Sequence, residues 1–87
     1  MTLSLTIWPH APTGSDATEY DVMLLATYAA LIDADRACVP WRTAAARYLG
    51  LDPDTPGSKA CWSSHLARAH WSVGEGLAAM IVAATPA

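Results

Sequence analysis

Residues Thr2 to Trp8 alternate, with Leu3, Leu5 and Ile7 on one side and Thr2, Ser4 and Thr6 on the other. That period of two predicts a short half-buried β-like segment. No clear partner run follows, so such a strand would leave its N–H and C=O ladder unpaired unless it met another copy or a partner's sheet edge. Pro9 to Ser15 reads as a Pro/Gly loop. From Asp16 onward the apolar spacing becomes helical, and the chain divides into an extended N-terminal segment and loop (1–15) and a helical domain (16–87). The expected fold class is mainly α: a compact bundle of about four short helices behind that β-like segment.

A first helix is expected from Asp16 to about Arg36, capped by Ser15 or Asp16, with Asp16, Glu19 and Asp21 facing the positive end of its dipole. Tyr20, Leu24, Tyr28 and Leu31 form one apolar stripe, while Val22, Leu25, Ala29 and Ile32 form a second on another face. A helix apolar on two faces is either central to the fold or half of a subunit interface. Pro40 is placed to open a second helix, running from Trp41 to Leu49 and stopping at Gly50, with Trp41, Ala44, Ala45 and Tyr48 inward. After the Asp52-Pro53-Asp54 turn, Thr55 caps a third helix that starts at Pro56 and reaches about His70, with Trp62, Leu66 and Ala69 inward. Ser72 to Glu75 reads as a capping box for a fourth helix packing Leu77, Met80, Ile81 and Ala84. A hairpin turning at Gly74-Glu75-Gly76 competes with it, and the alanines that follow favour the helix.

Composition adds one pressure. The 87 residues are 53% hydrophobic and 15% charged, against about 25% charged in ordinary soluble domains. Apolar surface is therefore expected outside the core, which points to a homo-oligomer or a dedicated protein partner. The longest uncharged helical run, Val22 to Ile32, is short of the ~20 residues that span a bilayer, and Met1 is followed by neither a basic start nor a cleavage site. The expected location is cytoplasmic. The absence of Asn, Gln and Phe, the single lysine (Lys59) and the abundant alanine suggest a high-GC source, an actinobacterium or one of its phages. Cys38 and Cys61 are too few for a disulfide framework and read as reduced, buried thiols.

Charge is distributed in two blocks. Asp16, Glu19, Asp21, Asp33 and Asp35 crowd the first helix, whereas Arg36, Arg42, Arg47, Lys59 and Arg68 lie mid-chain. The net charge of −3 opposes general attraction to phosphate. The run Arg42 to Leu51 nevertheless loosely resembles the first helix and turn of a helix-turn-helix unit, where small residues allow close crossing. The resemblance covers barely a third of the chain. It implies that the third helix (about 57–70) enters the major groove, with Arg42, Lys59, Ser63, Ser64, His65 and Arg68 as the DNA-binding set. The sequence departs from that pattern in a long turn, Asp52 to Gly57, bearing two carboxylates, and in having no Asn or Gln to read adenine.

Other chemistry is sparse. Cys61 and His65 share a helical face and could join His70 and Cys38 in a zinc set, yet the paired Cys-x2-Cys element is missing and a buried cysteine beside a surface histidine is the plainer reading. Ser63, Ser64 and His65 are adjacent, and consecutive helical side chains diverge, so they make no catalytic set alone. No phosphate loop is present. No catalysis and no cofactor is expected. Four tryptophans are many for this length: Trp41 and Trp62 suit the core, while Trp8 and Trp71, at a loop and a helix junction, are candidate contact residues. The preferred reading is a small protein-interaction module, self-associating, whose partner is a host or cellular protein, a phage-encoded modulator being one such case. Its contact set is Trp8, Trp71, Val22, Leu25, Ala29 and Ile32. The second reading is the helix-turn-helix regulator.

Overall fold

The helical stretch after Asp16 begins later than its acidic residues suggest, because a better cap lies downstream. Thr18 accepts from the Asp21 N–H (3.2 Å) while the Asp21 carboxylate takes the Thr18 N–H (2.9 Å), a reciprocal box that fixes the start. Ser15 and Asp16 are left outside, since the Asp16 carbonyl is held instead by Arg68 (2.8 Å).

The computed structural model describes residues 6–85, with five helices and no strand among them. They are α1 (Glu19–Met23), α2 (Leu25–Arg36), α3 (Trp41–Leu49), α4 (Ser58–Val73) and α5 (Leu77–Ala84). The single helix expected from Asp16 to Arg36 is therefore two. Leu24 (φ −98°, ψ 13°) opens the turn, its N–H shared between the Tyr20 and Asp21 carbonyls. Of the β-like segment Thr2 to Trp8, residues 2–5 lie outside the described residues, and Thr6 to Trp8 is irregular chain rather than strand.

α4 is the central element, packing against α2, α3 and α5. The first predicted stripe is the core: Tyr20, Leu24, Tyr28 and Leu31 are all buried, and Tyr20, Leu24, Tyr28, Ile32 and Ala69 form one cluster with Ile7 against it. α3 buries Ala44, Ala45 and Leu49, with Trp41 and Tyr48 half-buried. Pro40 caps α3 rather than opening it. Gly50 ends it as expected, in the left-handed conformation (φ 65°), and the Ala45 carbonyl accepts from Gly50 and Leu51.

α4 starts two residues later than the Thr55-Pro56 signal implies. The Asp52 carboxylate takes the Asp54 N–H (2.9 Å), and the Asp52 carbonyl takes the Thr55 N–H (3.0 Å) and the Ser58 hydroxyl (2.6 Å). Those bonds hold a turn until Gly57, at φ 90°. At its far end α4 runs through Ser72, whose hydroxyl donates back to the Ala69 carbonyl (2.6 Å), so the Ser72 to Glu75 capping box does not form. The chain then reverses under Trp71, whose carbonyl accepts from Gly74 (3.1 Å) and Gly76 (2.7 Å). A Cβ on Gly76 would lie 2.3 Å from the Trp71 ring, which leaves that place to glycine. α5 follows as a helix, and the hairpin does not occur.

Candidate functional site

α5 carries no charged residue and little polar surface, yet it touches the rest of the fold on one side. Only Met80 is buried in it; Leu77 and Ile81 are exposed, against the expectation that both pack inward, because a helix apolar all round must leave the faces that meet no neighbour in water. Beside it, Leu25 (44% exposed) and Ala29 from α2 and Val73 (55%) from α4 continue the same surface. These residues line a groove of about 300 Å³ floored by Tyr28, Ser72 and Met80. Ile81 (58%) and Val82 (75%) extend the apolar band outward.

The predicted contact set is thus brought together in part. Leu25 and Ala29 stand in the groove. Val22 is half-buried and lines a neighbouring groove with Met23 and Ala83. Ile32 is a correction: it is buried in the core cluster, because the break at Leu24 leaves the second stripe divided between surface and interior. Trp8 is partly exposed but stacks on Tyr20 with ring centroids 3.9 Å apart and does not line the groove. Trp71 is half-buried, with the Arg68 guanidinium 3.6 Å from its ring centroid, a cation–π contact. Val73, Leu77, Ile81 and Val82 were not singled out as contacts, although an uncharged run from Gly76 to the chain's last residue is the signal that marks them.

The helix-turn-helix set is dispersed by burial. Lys59 and Ser63 are exposed, Ser64 is half-buried, and Arg42 is exposed but paired with Asp54. His65 has no exposed surface and Arg68 is 4% exposed, because α4 is the helix around which the others pack. Neither side chain can reach a base edge from there, and the outer face that reading assigns to them is not formed. Lys59 and Arg42 instead lie over the Trp41 ring, which tilts against Trp62.

Both buried polar residues of α4 serve the interior. Arg68 binds Asp21 through two bonds, Nε to Oδ1 (3.0 Å) and Nη2 to Oδ2 (2.8 Å), and donates to the carbonyls of Gly14 (2.5 Å) and Asp16 (2.8 Å). Tyr28 donates to Asp21 Oδ1 (2.8 Å). Burial alone would raise the Asp21 carboxyl; the Arg68 guanidinium, with the Thr18 and Tyr28 bonds, outweighs it and holds the group below the usual carboxylate range. Burial and the Asp21 charge raise the Tyr28 phenol. His65 donates from Nδ1 to the Cys61 carbonyl (2.7 Å), which leaves Nε2 to accept from the Tyr20 hydroxyl (2.5 Å). No buried side-chain nitrogen or oxygen among the described residues lacks a partner.

Of the four zinc candidates only two meet. Cys61 Sγ lies 3.8 Å from His65 Nδ1, whereas Cys38 is exposed and His70 pairs with Asp35 (3.3 Å) on the surface. Among the described residues no three His, Cys, Asp or Glu side chains converge as metal ligands. Burial pushes the Cys61 thiol up and the His65 imidazole down. The pair is a neutral thiol beside a neutral imidazole, each donating to a backbone carbonyl, Trp8 (3.3 Å) and Cys61 respectively. Among the described residues no helix is long and apolar enough to cross a membrane. Neither a family model, a curated protein nor a solved structure matches this chain.

Proposed function

We propose that this chain is a small protein-interaction module whose working form is a homodimer, joined through the α2–α4–α5 groove. The observation that carries this reading is the contiguous apolar surface made by Leu25, Val73, Leu77, Ile81 and Val82 around a floor of Tyr28 and Met80. At the exposures found, these side chains present about 500 Å² per copy, so a pair removes roughly the 1,000 Å² that separates specific interfaces from casual contacts. The surface suits a second copy in its electrostatics. In a two-fold interface the residues on the axis face their own copies, so a charge there meets its own kind. The groove lining contains none. It also holds both projections (Leu77, Ile81) and a hollow over Ala29 and Ala84, the two shapes a self-complementary patch needs.

Light scattering coupled to gel filtration tests the reading. The full chain should elute with twice its 9.2 kDa mass, and Leu25→Glu or Ile81→Glu should return it to a monomer with unchanged helical circular dichroism. A native chain that stays at 9.2 kDa throughout the micromolar range would overturn the proposal. So would a dimer indifferent to both substitutions.

A further inference from the structure

Residues 6–17 cross α1 and α4 without a helix or strand of their own, and among the described residues no backbone–backbone hydrogen bond ties them to the helices. They are held by side chains. The Trp8 N–H donates to the Tyr20 hydroxyl (3.0 Å) and the Trp8 carbonyl accepts from Cys61 (3.3 Å). The Ala11 N–H donates to Ser64 Oγ (3.0 Å), and Gly14 and Asp16 offer their carbonyls to Arg68. A segment fastened this way can detach as a unit while the helices keep their own bonds.

His65 stands behind the first of these fastenings. Its Nδ1 proton is committed to the Cys61 carbonyl, so the Tyr20 proton points at Nε2 and the Tyr20 oxygen is free to receive Trp8. We propose that His65 is the latch of an N-terminal strap: the strap closes over neutral His65, and a proton on Nε2 releases Trp8 and residues 6–13 from α1 and α4. With Nε2 protonated, two donors face each other across 2.5 Å. Tyr20 must turn its proton elsewhere, and among the described residues that hydroxyl has no acceptor other than His65.

The surroundings of the ring reinforce this. Burial disfavours the charged imidazole; the Cys61 carbonyl favours it, His10 on the strap disfavours it, and Asp21 on α1 favours it, with the net pushed down. Arg68, one turn along α4, and Tyr28 on α2 are committed to Asp21. Cys61 keeps its proton. On α3, Arg42 and Arg47 are exposed and Tyr48 shares no hydrogen bond with the ring; α5 carries no titratable side chain. The proton thus binds the open state more tightly than the closed one. Between the ordinary imidazole value, about 6.5, and the lowered value in the closed state, the open population grows about tenfold for each unit fall in pH.

Amide hydrogen exchange on the full chain at pH 7, 6 and 5, corrected for intrinsic rates, tests the latch. Protection of the Trp8 and Ala11 amides should fall about threefold from pH 7 to 6 and by up to about tenfold from pH 6 to 5, while Leu31 and Ile32 in α2 keep theirs. His65→Gln, whose amide carries no titrating proton, should flatten the dependence. Should that variant fail to fold, Tyr20→Phe decides: it removes the link between imidazole and strap, so Trp8 should exchange faster at pH 7 and lose its pH dependence. Flat protection in the native chain would overturn the proposal, as would loss of strap and α2 protection in step, or an unchanged slope in the variant that folds.

Discussion

Replacing Arg68 by methionine, a residue of similar helix propensity, removes a buried cation, and its cost can be worked out. Methionine keeps a long apolar side chain in α4 but removes the guanidinium from the Trp71 ring and both bonds to Asp21, which is 0% exposed and among the described residues has no second cation as hydrogen-bond partner. Breaking a buried pair by deleting one partner costs about 3–5 kcal/mol, and the stranded Gly14 and Asp16 carbonyls add a smaller penalty as water reaches them. Against a total of about 5–15 kcal/mol for a domain, a loss of at least 3 is expected, a fall in melting temperature of roughly 12 °C or more. Urea titration followed by circular dichroism reads it directly, and pH supplies the signature. In the native chain the Asp21 pKa is depressed, so its stabilisation is complete above the unfolded value and lost as pH falls through the folded one. In Arg68→Met only the Thr18 and Tyr28 bonds still oppose burial, the Asp21 pKa rises relative to the native chain, and less stability is lost as Asp21 takes a proton. The gap between the two proteins should therefore narrow from pH 7 to pH 4, and Asp21→Asn in the variant background should recover part of the loss at pH 7. A deficit below about 1 kcal/mol, or one that does not change with pH, would refute the claim that Arg68 compensates a buried charge.

Two further substitutions probe local geometry. Gly76→Ala puts a methyl 2.3 Å from the Trp71 ring and should cost about 1–3 kcal/mol while altering tryptophan emission; a melting temperature within about 2 °C of native would show that the ring moves freely. Thr18→Ala removes the cap from α1 and should cost about 1 kcal/mol in thermal melts, with Thr18→Ser retaining most of it; equal losses in both would mean that the methyl, not the hydroxyl, matters.

The helical plan was legible in the sequence where local chemistry decides it. The stripe Tyr20, Leu24, Tyr28 and Leu31 is the core, and the Trp41 to Leu49 helix ends at Gly50 because only the left-handed conformation closes that turn cheaply. What could not be read are the features created by distant partners. Ser15 and Asp16 look like caps, but Arg68, 52 residues from Asp16, holds that backbone in another path. The same contact misdirects the site. An arginine and a histidine on one helix, with two serines before them, look like a phosphate-facing surface until α4 turns out to be the helix on which α2, α3 and α5 pack. His65 and Arg68 then need interior acceptors, and Asp21 and Tyr20 on α1 are so placed. α5 failed differently: its apolar residues at positions 77, 80, 81 and 84 give no clue to which side meets the fold, because no polar residue marks the other.

These two departures bear on each other. The centre of this fold holds an arginine, an aspartate and a histidine, fully partnered, while leucine, isoleucine and valine stand outside. Buried ion pairs and hydrogen-bonded pairs define geometry more than they add stability, since desolvation offsets most of the attraction. An 87-residue chain has little core to spare for them. The apolar area missing from the interior is on α5 and the edge of α2, where a second copy can bury it. Under the proposed homodimer, association on that face supplies stability that the monomer's polar centre does not, and mass action ties the two together, so the native chain's melting temperature should climb with concentration. In Leu25→Glu that dependence should disappear along with the proposed dimer. A residue of the core would instead unfold the chain at every concentration, and that contrast separates an interface at Leu25 from a damaged fold.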